Sequence, residues 1–196
     1  MAGLTHPQFV IILIVGFLLV SFLIMMSKLG FLSSIKFKQT TLPKLNYVYQ
    51  NYEGSYENIN HKFQEILSET NQVFKFSDLF GIYYEANASA GESGEEQLNK
   101  SKAAVGLIIK EIEVEKIDLM MKKFPNKYKI IETPPTICVG TQYPYFNAAS
   151  LVMIINRVYP KLAQFIAEKR LEAGPGVMEI YCVNDSNPHV KILVPI

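Results

Sequence analysis

The stretch YPYFNAASLVMIINRVYPKLAQFIAEKRLEAGPGVMEIY, residues 143–181, decides the fold. Between Asn147 and Glu172, the residues Ala149, Val152, Met153, Ile155, Leu162, Phe165 and Ile166 make an apolar stripe, which predicts a long amphipathic helix. Pro160 sits inside it. A proline has no N–H to donate and its ring crowds the preceding turn, so a kink or split is expected near Tyr159. Gly174-Pro175-Gly176 stops the helix, and MEIYCV (178–183) with HVKILVPI (189–196) reads as a closing hairpin. Upstream, YKIIE (128–132) and TICVGTQY (136–143) frame Pro134-Pro135 as two strands or one broken strand. A short helix over Glu115–Lys123 precedes them.

The first half carries the same order. YVYQNYE (47–53) is a strand broken by Gly54, and Ile59, Phe63, Ile66 and Leu67 recur at helical spacing from Asn58 to Thr70. LFGIYYE (79–85) and AAVGLII (103–109) are strands, separated by a polar loop over 87–102. Local wording repeats too: Gly54-Ser55-Tyr56 is answered by Gly140-Thr141-Gln142-Tyr143, and Ile82-Tyr83 by Ile180-Tyr181. The expectation is an α+β fold of two strand-helix-strand-strand modules with pseudo-twofold symmetry and a groove where they meet.

Before these modules lies FVIILIVGFLLVSFLIMM (9–26), without a charge. At about 1.5 Å per residue such a helix is roughly 27 Å long and just spans a thin bilayer. No basic residue precedes it and no A-x-A-like site follows, so it reads as an anchor and not as a cleaved signal. Lys28, Lys36, Lys38 and Lys44 follow it before the first acid, Glu53, and this asymmetry keeps the C-terminal part in the cytosol. The expected organisation is a short lumenal N-terminus (1–8), a transmembrane helix (9–26), a linker (27–43) and one domain (44–196). The sequons at Asn87, Asn99 and Asn184 are then chance matches, and Cys138 and Cys182 are reduced, buried strand residues.

Composition narrows the function. Nineteen basic against 18 acidic residues give +1 on 196 residues, with no surplus to attract nucleic acid. With 49% apolar residues, 12 Phe and 11 Tyr, the chain has ample material for a core. Two cysteines and three histidines (His6, His61, His189) show no metal-ligand spacing, and no phosphate loop is present, so neither metal nor cofactor is expected.

The run 143–181, with GIYYE (81–85) and AAVGLII (103–109), resembles the membrane-anchored testis-expressed protein family. The most specific piece is Asn156-Arg157-Val158-Tyr159-Pro160 leading to Glu179-Ile180-Tyr181. The resemblance implies a gyrase-inhibitor-like (GyrI-like) domain, akin to bacterial drug sensors and SOUL-type haem-binding proteins. It also implies an endoplasmic reticulum protein that acts as a reticulophagy receptor with autophagy proteins as partners. In that family an acidic tail beyond the domain holds the aromatic-x-x-aliphatic autophagy motif; this sequence runs to Ile196, in the last predicted strand, and the tail is not among these residues.

The candidate ligand-binding residues are Glu179, Tyr181, Tyr83 and Tyr143. Alternation along the strand puts Glu179 on one face with Tyr181, opposite Met178, Ile180 and Cys182. A carboxylate among tyrosine rings attracts a lipophilic cation through charge and ring faces together. The alternative function is a membrane-tethered binder of such a cation or of a tetrapyrrole, or a hydrolase with Glu179 as base; no nucleophile–base pair is legible, so no catalytic residue is assigned. Arg157 and Pro160 are given structural roles, Arg157 by satisfying carbonyls freed at the kink. Phe76-Ser77-Asp78-Leu79 and Phe63-Gln64-Glu65-Ile66 fit the autophagy motif pattern but fall in predicted core elements.

Overall fold

The structure, a computed structural model, describes residues 6–55, 58–71, 73–74, 78–84, 101–109, 115–183 and 185–196. The charge-free run forms helix α1 (His6–Lys28). Its end is fixed by Gly30 at φ 80°: the Gly30 amide donates to the Ser27 carbonyl and the Phe31 amide to the Met26 carbonyl. That is a Schellman cap, and its left-handed residue is the position where glycine costs least.

The first module is β1 (Lys38–Leu42), β2 (Leu45–Gly54), α2 (Ile59–Thr70), β3 (Leu79–Tyr83) and β4 (Ser101–Ile109). The second is α3 (Lys116–Lys123), β5 (Lys129–Thr133), β6 (Thr136–Pro144), α4 (Ala148–Met153), a π turn (Ile154–Val158), α5 (Tyr159–Lys169), β7 (Val177–Cys182) and β8 (His189–Pro195). The strands form one antiparallel sheet in the order β1-β6-β8-β7-β3-β4-β2-β5. Read from its centre outward, that order is the same in both directions, module for module. The expected duplication is present in this α+β fold, with one addition: each module's leading strand pairs with the other module, β1 with β6 and β5 with β2. The segment 27–43, expected as a linker, therefore contains a strand of the sheet.

Two proline residues require the sheet to curl. In a flat sheet β5 and β6 would lie six strand spacings, or roughly 29 Å, apart. Pro134 and Pro135 provide three Cα steps, which reach about 11 Å. The curl brings Tyr47 of β2 against Cys138 of β6 and Met178 of β7 in a core on the concave face, with Phe80, Ile180, Cys182 and Leu193. Tyr47 and Phe80 rings lie 4.4 Å apart there. Helices α2 to α5 cover the other face with a larger core that includes Ile59, Phe63, Ile66, Leu151, Ile154 and Leu162.

The long second-module helix departs from expectation at its C-terminal end. It ends at Lys169, where Arg170 turns left-handed at φ 50°, before the Gly174-Pro175-Gly176 stop. The split expected near Tyr159 is present: one π turn inserts an extra residue, with the Tyr159 amide donating to the Ile154 carbonyl, and α5 starts there, so Pro160 sits in its first turn, where its missing N–H is tolerated.

Candidate functional site

Glu179 is wholly buried, on β7 in the middle of the sheet. It shares the helix-covered face with Tyr181, while Met178, Ile180 and Cys182 point into the concave core. Burying a carboxylate is costly unless donors reach it. Among the described residues, the Tyr159 hydroxyl donates to Oε1 at 2.6 Å, and the Tyr181 hydroxyl donates to Oε2. The Tyr83 hydroxyl lies 3.3 Å from that of Tyr181. Tyr145 and Phe63 close over Tyr181 edge-on, with ring centroids 5.5 and 5.0 Å away. Burial first, and then the charge of Glu179, push the Tyr145 phenol above its ordinary pKa.

The pseudo-twofold explains this cluster. Lys38–Leu42 corresponds to Lys129–Thr133, and Leu79 to Val177, as the first residues of matching strands. Gly81 and Glu179 are then equivalent positions, and they are also direct cross-strand partners, so the axis passes between them. Tyr83 and Tyr181 are equivalent as well, and their hydroxyls meet across the axis. A second glutamate at position 81 would set two carboxylates against each other. Glycine there also makes room: a Cβ would stand 2.8–2.9 Å from the Tyr83 ring and hydroxyl. The same correspondence pairs Tyr52 with Tyr143, and not Gly54 with Gly140 as the short sequence repeat suggested.

Tyr143 is buried on the same face, yet its hydroxyl goes elsewhere. It donates to the Gly30 carbonyl at 2.7 Å, at the cap of α1. Arg157 joins it: Nη1 donates to the Gly30 carbonyl at 2.8 Å, to the Phe31 carbonyl and to the Tyr143 hydroxyl at 3.2 Å, and Nη2 to the Ser33 carbonyl at 3.4 Å. The expected role of Arg157 is thereby corrected, because the carbonyls it satisfies belong to the segment after α1 and not to its own helix. The π turn sends Arg157 to this clasp and Tyr159, two residues on, to Glu179.

Neither of two other concavities is lined by Glu179. One of about 520 Å³ lies between Ser33-Ser34, the end of β6 and the β7–β8 turn. The other, about 190 Å³, opens into the concave core beside Tyr47, Cys138 and Met178. At the β7–β8 turn, Cys182, Asp185 and His189 bring ligand atoms within 4.8 Å of one another, an open three-ligand arrangement with Asp185 exposed. Both cysteines are free and buried, and burial raises the pKa of each thiol. His61 is exposed on α2.

Of the autophagy-motif candidates, Phe76 lies outside the described residues, as do the sequon asparagines Asn87, Asn99 and Asn184. Leu79 is buried in β3 between β4 and β7, and Phe63 and Ile66 are buried on α2, so none of these three can enter a partner's sheet edge. Sequence reasoning missed Tyr145 and Tyr159 as members of the site. Their signal was their place beside Tyr143 and Pro160, but only the π turn aims Tyr159 inward.

No family model matches the chain, and no curated protein does. Among solved structures it is similar to the EcmrR C-terminal domain, with a TM-score of 0.54 at 11% identity over 82% of this chain and 96% of that one. It is also similar to EcmrR in its complex with DNA, with a TM-score of 0.55 at 12% identity over 82% of this chain; the match spans 57% of that chain. At this identity the likeness shows the fold. The domain has the GyrI-like architecture and follows one N-terminal apolar helix.

Proposed function

We propose that this protein is a single-pass membrane protein of the endoplasmic reticulum, with its N-terminus in the lumen and its GyrI-like domain in the cytosol. We further propose that the domain binds a small lipophilic cation at Glu179. The observation that carries the ligand reading is the buried carboxylate at the pseudo-twofold axis, ringed by Tyr83, Tyr145, Tyr159 and Tyr181. A cation reaches Glu179 by displacing the hydroxyl of Tyr159, whose ring is half-buried at the edge of the site. The ring faces then supply cation–π contacts and the carboxylate the charge.

A close ion pair at an effective dielectric near 20 contributes up to about 4 kcal/mol before desolvation is subtracted. Calorimetry on the full chain, comparing tetraphenylphosphonium with tetraphenylborate, tests this with one shape and two charges. Tighter binding of the cation, lost in Glu179→Gln, is expected. Equal affinity for both ions in the wild type rules the site out.

The membrane reading rests on α1, where an 18-residue window within Pro7–Lys28 has mean hydropathy 3.2 and is unburied, and on the lysines that follow it. Protease protection in microsomes tests the orientation. The domain is expected to be degraded without detergent, and protection would reverse the topology. The resemblance to reticulophagy receptors makes organelle autophagy the setting in which to look for the ligand's effect.

A further inference from the structure

We infer that the domain lies against the bilayer through a patch formed by Phe31, Leu32 and Phe146, so that it is seated on the membrane and not tethered at a distance. The inference rests on the membrane reading of α1. At about 1.5 Å per residue, the 23 residues of α1 extend roughly 34 Å, enough to cross a hydrocarbon core of about 30 Å with Lys28 at headgroup level. A linker of ordinary flexibility would then release the domain. Here the chain is held within two residues of the helix end, because the Gly30 carbonyl accepts from both Tyr143 and Arg157.

That clasp fixes what meets the lipid. The Lys28 ammonium stands 5.5 Å from the centre of the Phe146 ring, and the Arg157 guanidinium 5.4 Å from that of Phe31. Phe146 belongs to the domain, just before α4, yet it touches the last residue of the anchor. Phe31, Leu32 and Phe146 are 48%, 68% and 54% exposed. Two exposed rings, each beside a cation, with exposed Leu32 next to Phe31 in the chain, at the mouth of a membrane-spanning helix, have the composition of an interfacial contact. Rings enter the acyl boundary while Lys28 reaches the phosphates. Water as the sole neighbour would leave this apolar patch unburied.

The chain has no tryptophan, so a single introduced indole reports its own depth. The full chain is reconstituted in phosphatidylcholine–phosphatidylserine vesicles carrying lipids brominated either near the headgroup or deep in the acyl chain. Four variants are compared: Phe31→Trp, Phe146→Trp, Phe17→Trp in mid-anchor, and Leu119→Trp on α3. Phe31→Trp and Phe146→Trp are expected to emit at shorter wavelength and to lose fluorescence to the shallow bromines. Phe17→Trp should lose it to the deep bromines, and Leu119→Trp to neither. If Phe17→Trp is quenched while Phe146→Trp and Phe31→Trp behave like Leu119→Trp, the seated domain is overturned and the anchor survives. If Phe17→Trp is not quenched, the membrane reading falls and the seating with it.

Discussion

Arg157 donates through Nη1 to the carbonyl of Gly30 at 2.8 Å, joining the middle of the second-module helix to the cap of the N-terminal helix across 127 positions of sequence. The same carbonyl accepts from Tyr143, so one peptide oxygen at the end of α1 receives two donors from the domain. Where α1 goes, the domain is therefore constrained to follow.

Removing the guanidinium should loosen that joint. Hydrogen bonds to charged groups contribute about 1.5–3 kcal/mol each and are not additive when shared. Arg157→Ala is expected to lower the thermal midpoint of the full chain in detergent micelles and to expose residues 28–37 to protease. Arg157→Lys keeps the charge without the planar fork, so it should recover only part of the loss. An unchanged midpoint in Arg157→Ala would remove the clasp from the list of stabilising contacts.

Gly30→Ala attacks the other side. Its φ of 80° disfavours a side chain, and a Cβ there would lie 2.7–3.0 Å from the Tyr143 ring and hydroxyl. Strain and overpacking of this kind cost about 1–3 kcal/mol. The double variant Gly30→Ala/Arg157→Ala should be little worse than the more damaging single one, and a double-variant cycle by thermal unfolding checks this coupling.

Tyr159→Phe separates stability from binding. It removes one of the donors to a buried carboxylate, so stability should fall by about 1–3 kcal/mol. A cation that no longer competes with that hydroxyl should bind more tightly. Calorimetry and urea unfolding on the same sample read the two effects, and cation affinity falling together with stability would make Tyr159 part of the binding surface.

Gly81→Ala tests the axis. Its Cβ would press on Tyr83, a side chain able to shift, so the expected cost is in the range of about 1–3 kcal/mol for overpacking. Displacing Tyr83 breaks its contact with Tyr181, and the tyrosine ring resonances of both should move together in NMR spectra. A spectrum altered at Tyr83 alone would show that the two phenols are uncoupled.

The acid limb of stability should depend on Lys127, which bonds Glu65 at 2.9 Å and also bonds Glu69. Hydrogen bonds from Lys127 and then Lys62 hold Glu65 below the ordinary carboxylate value of 4.5. Burial alone would raise Glu69, but bonds from Lys127 and Tyr128 outweigh it and the net direction is down. Folded-state values below the unfolded ones mean stability that is present above about pH 4.5 and lost as pH falls through the folded values. Lys127→Gln should therefore be less stable than wild type at pH 7, with the gap narrowing in acid. Because these side chains are partly exposed to solvent, the effect is small and shrinks with added salt. Urea midpoints at pH 7 and pH 3 measure it, and a gap that is equal at both pH values would count against the assignment.

Much of the site was legible because strand and helix periods are local. Alternation in VMEIYCV alone put Glu179 beside Tyr181 and opposite Met178 and Ile180, and the structure keeps that face. Ile82-Tyr83 and Ile180-Tyr181 were read as equivalent from their wording, and they are equivalent about the axis. The apolar run fixed α1 to within a few residues, since nothing beyond a charge-free stretch and a terminal glycine is needed to start and stop such a helix.

What required the tertiary structure depends on partners distant in sequence. Lys38–Leu42 has no apolar face of its own and becomes a strand because β6 offers it an edge. Pro134-Pro135 reads locally as a break; only the strand order turns it into the constraint that curls the sheet. Tyr143 looked like a fourth member of the carboxylate cluster, and Arg157 like a mender of its own helix. Both reach Gly30 instead, because one π turn rotates the helix and the curled sheet brings the α1 cap within reach of a side chain. A sequence specifies period and propensity residue by residue, but the destination of a long polar side chain is set by which carbonyl the completed fold leaves nearby.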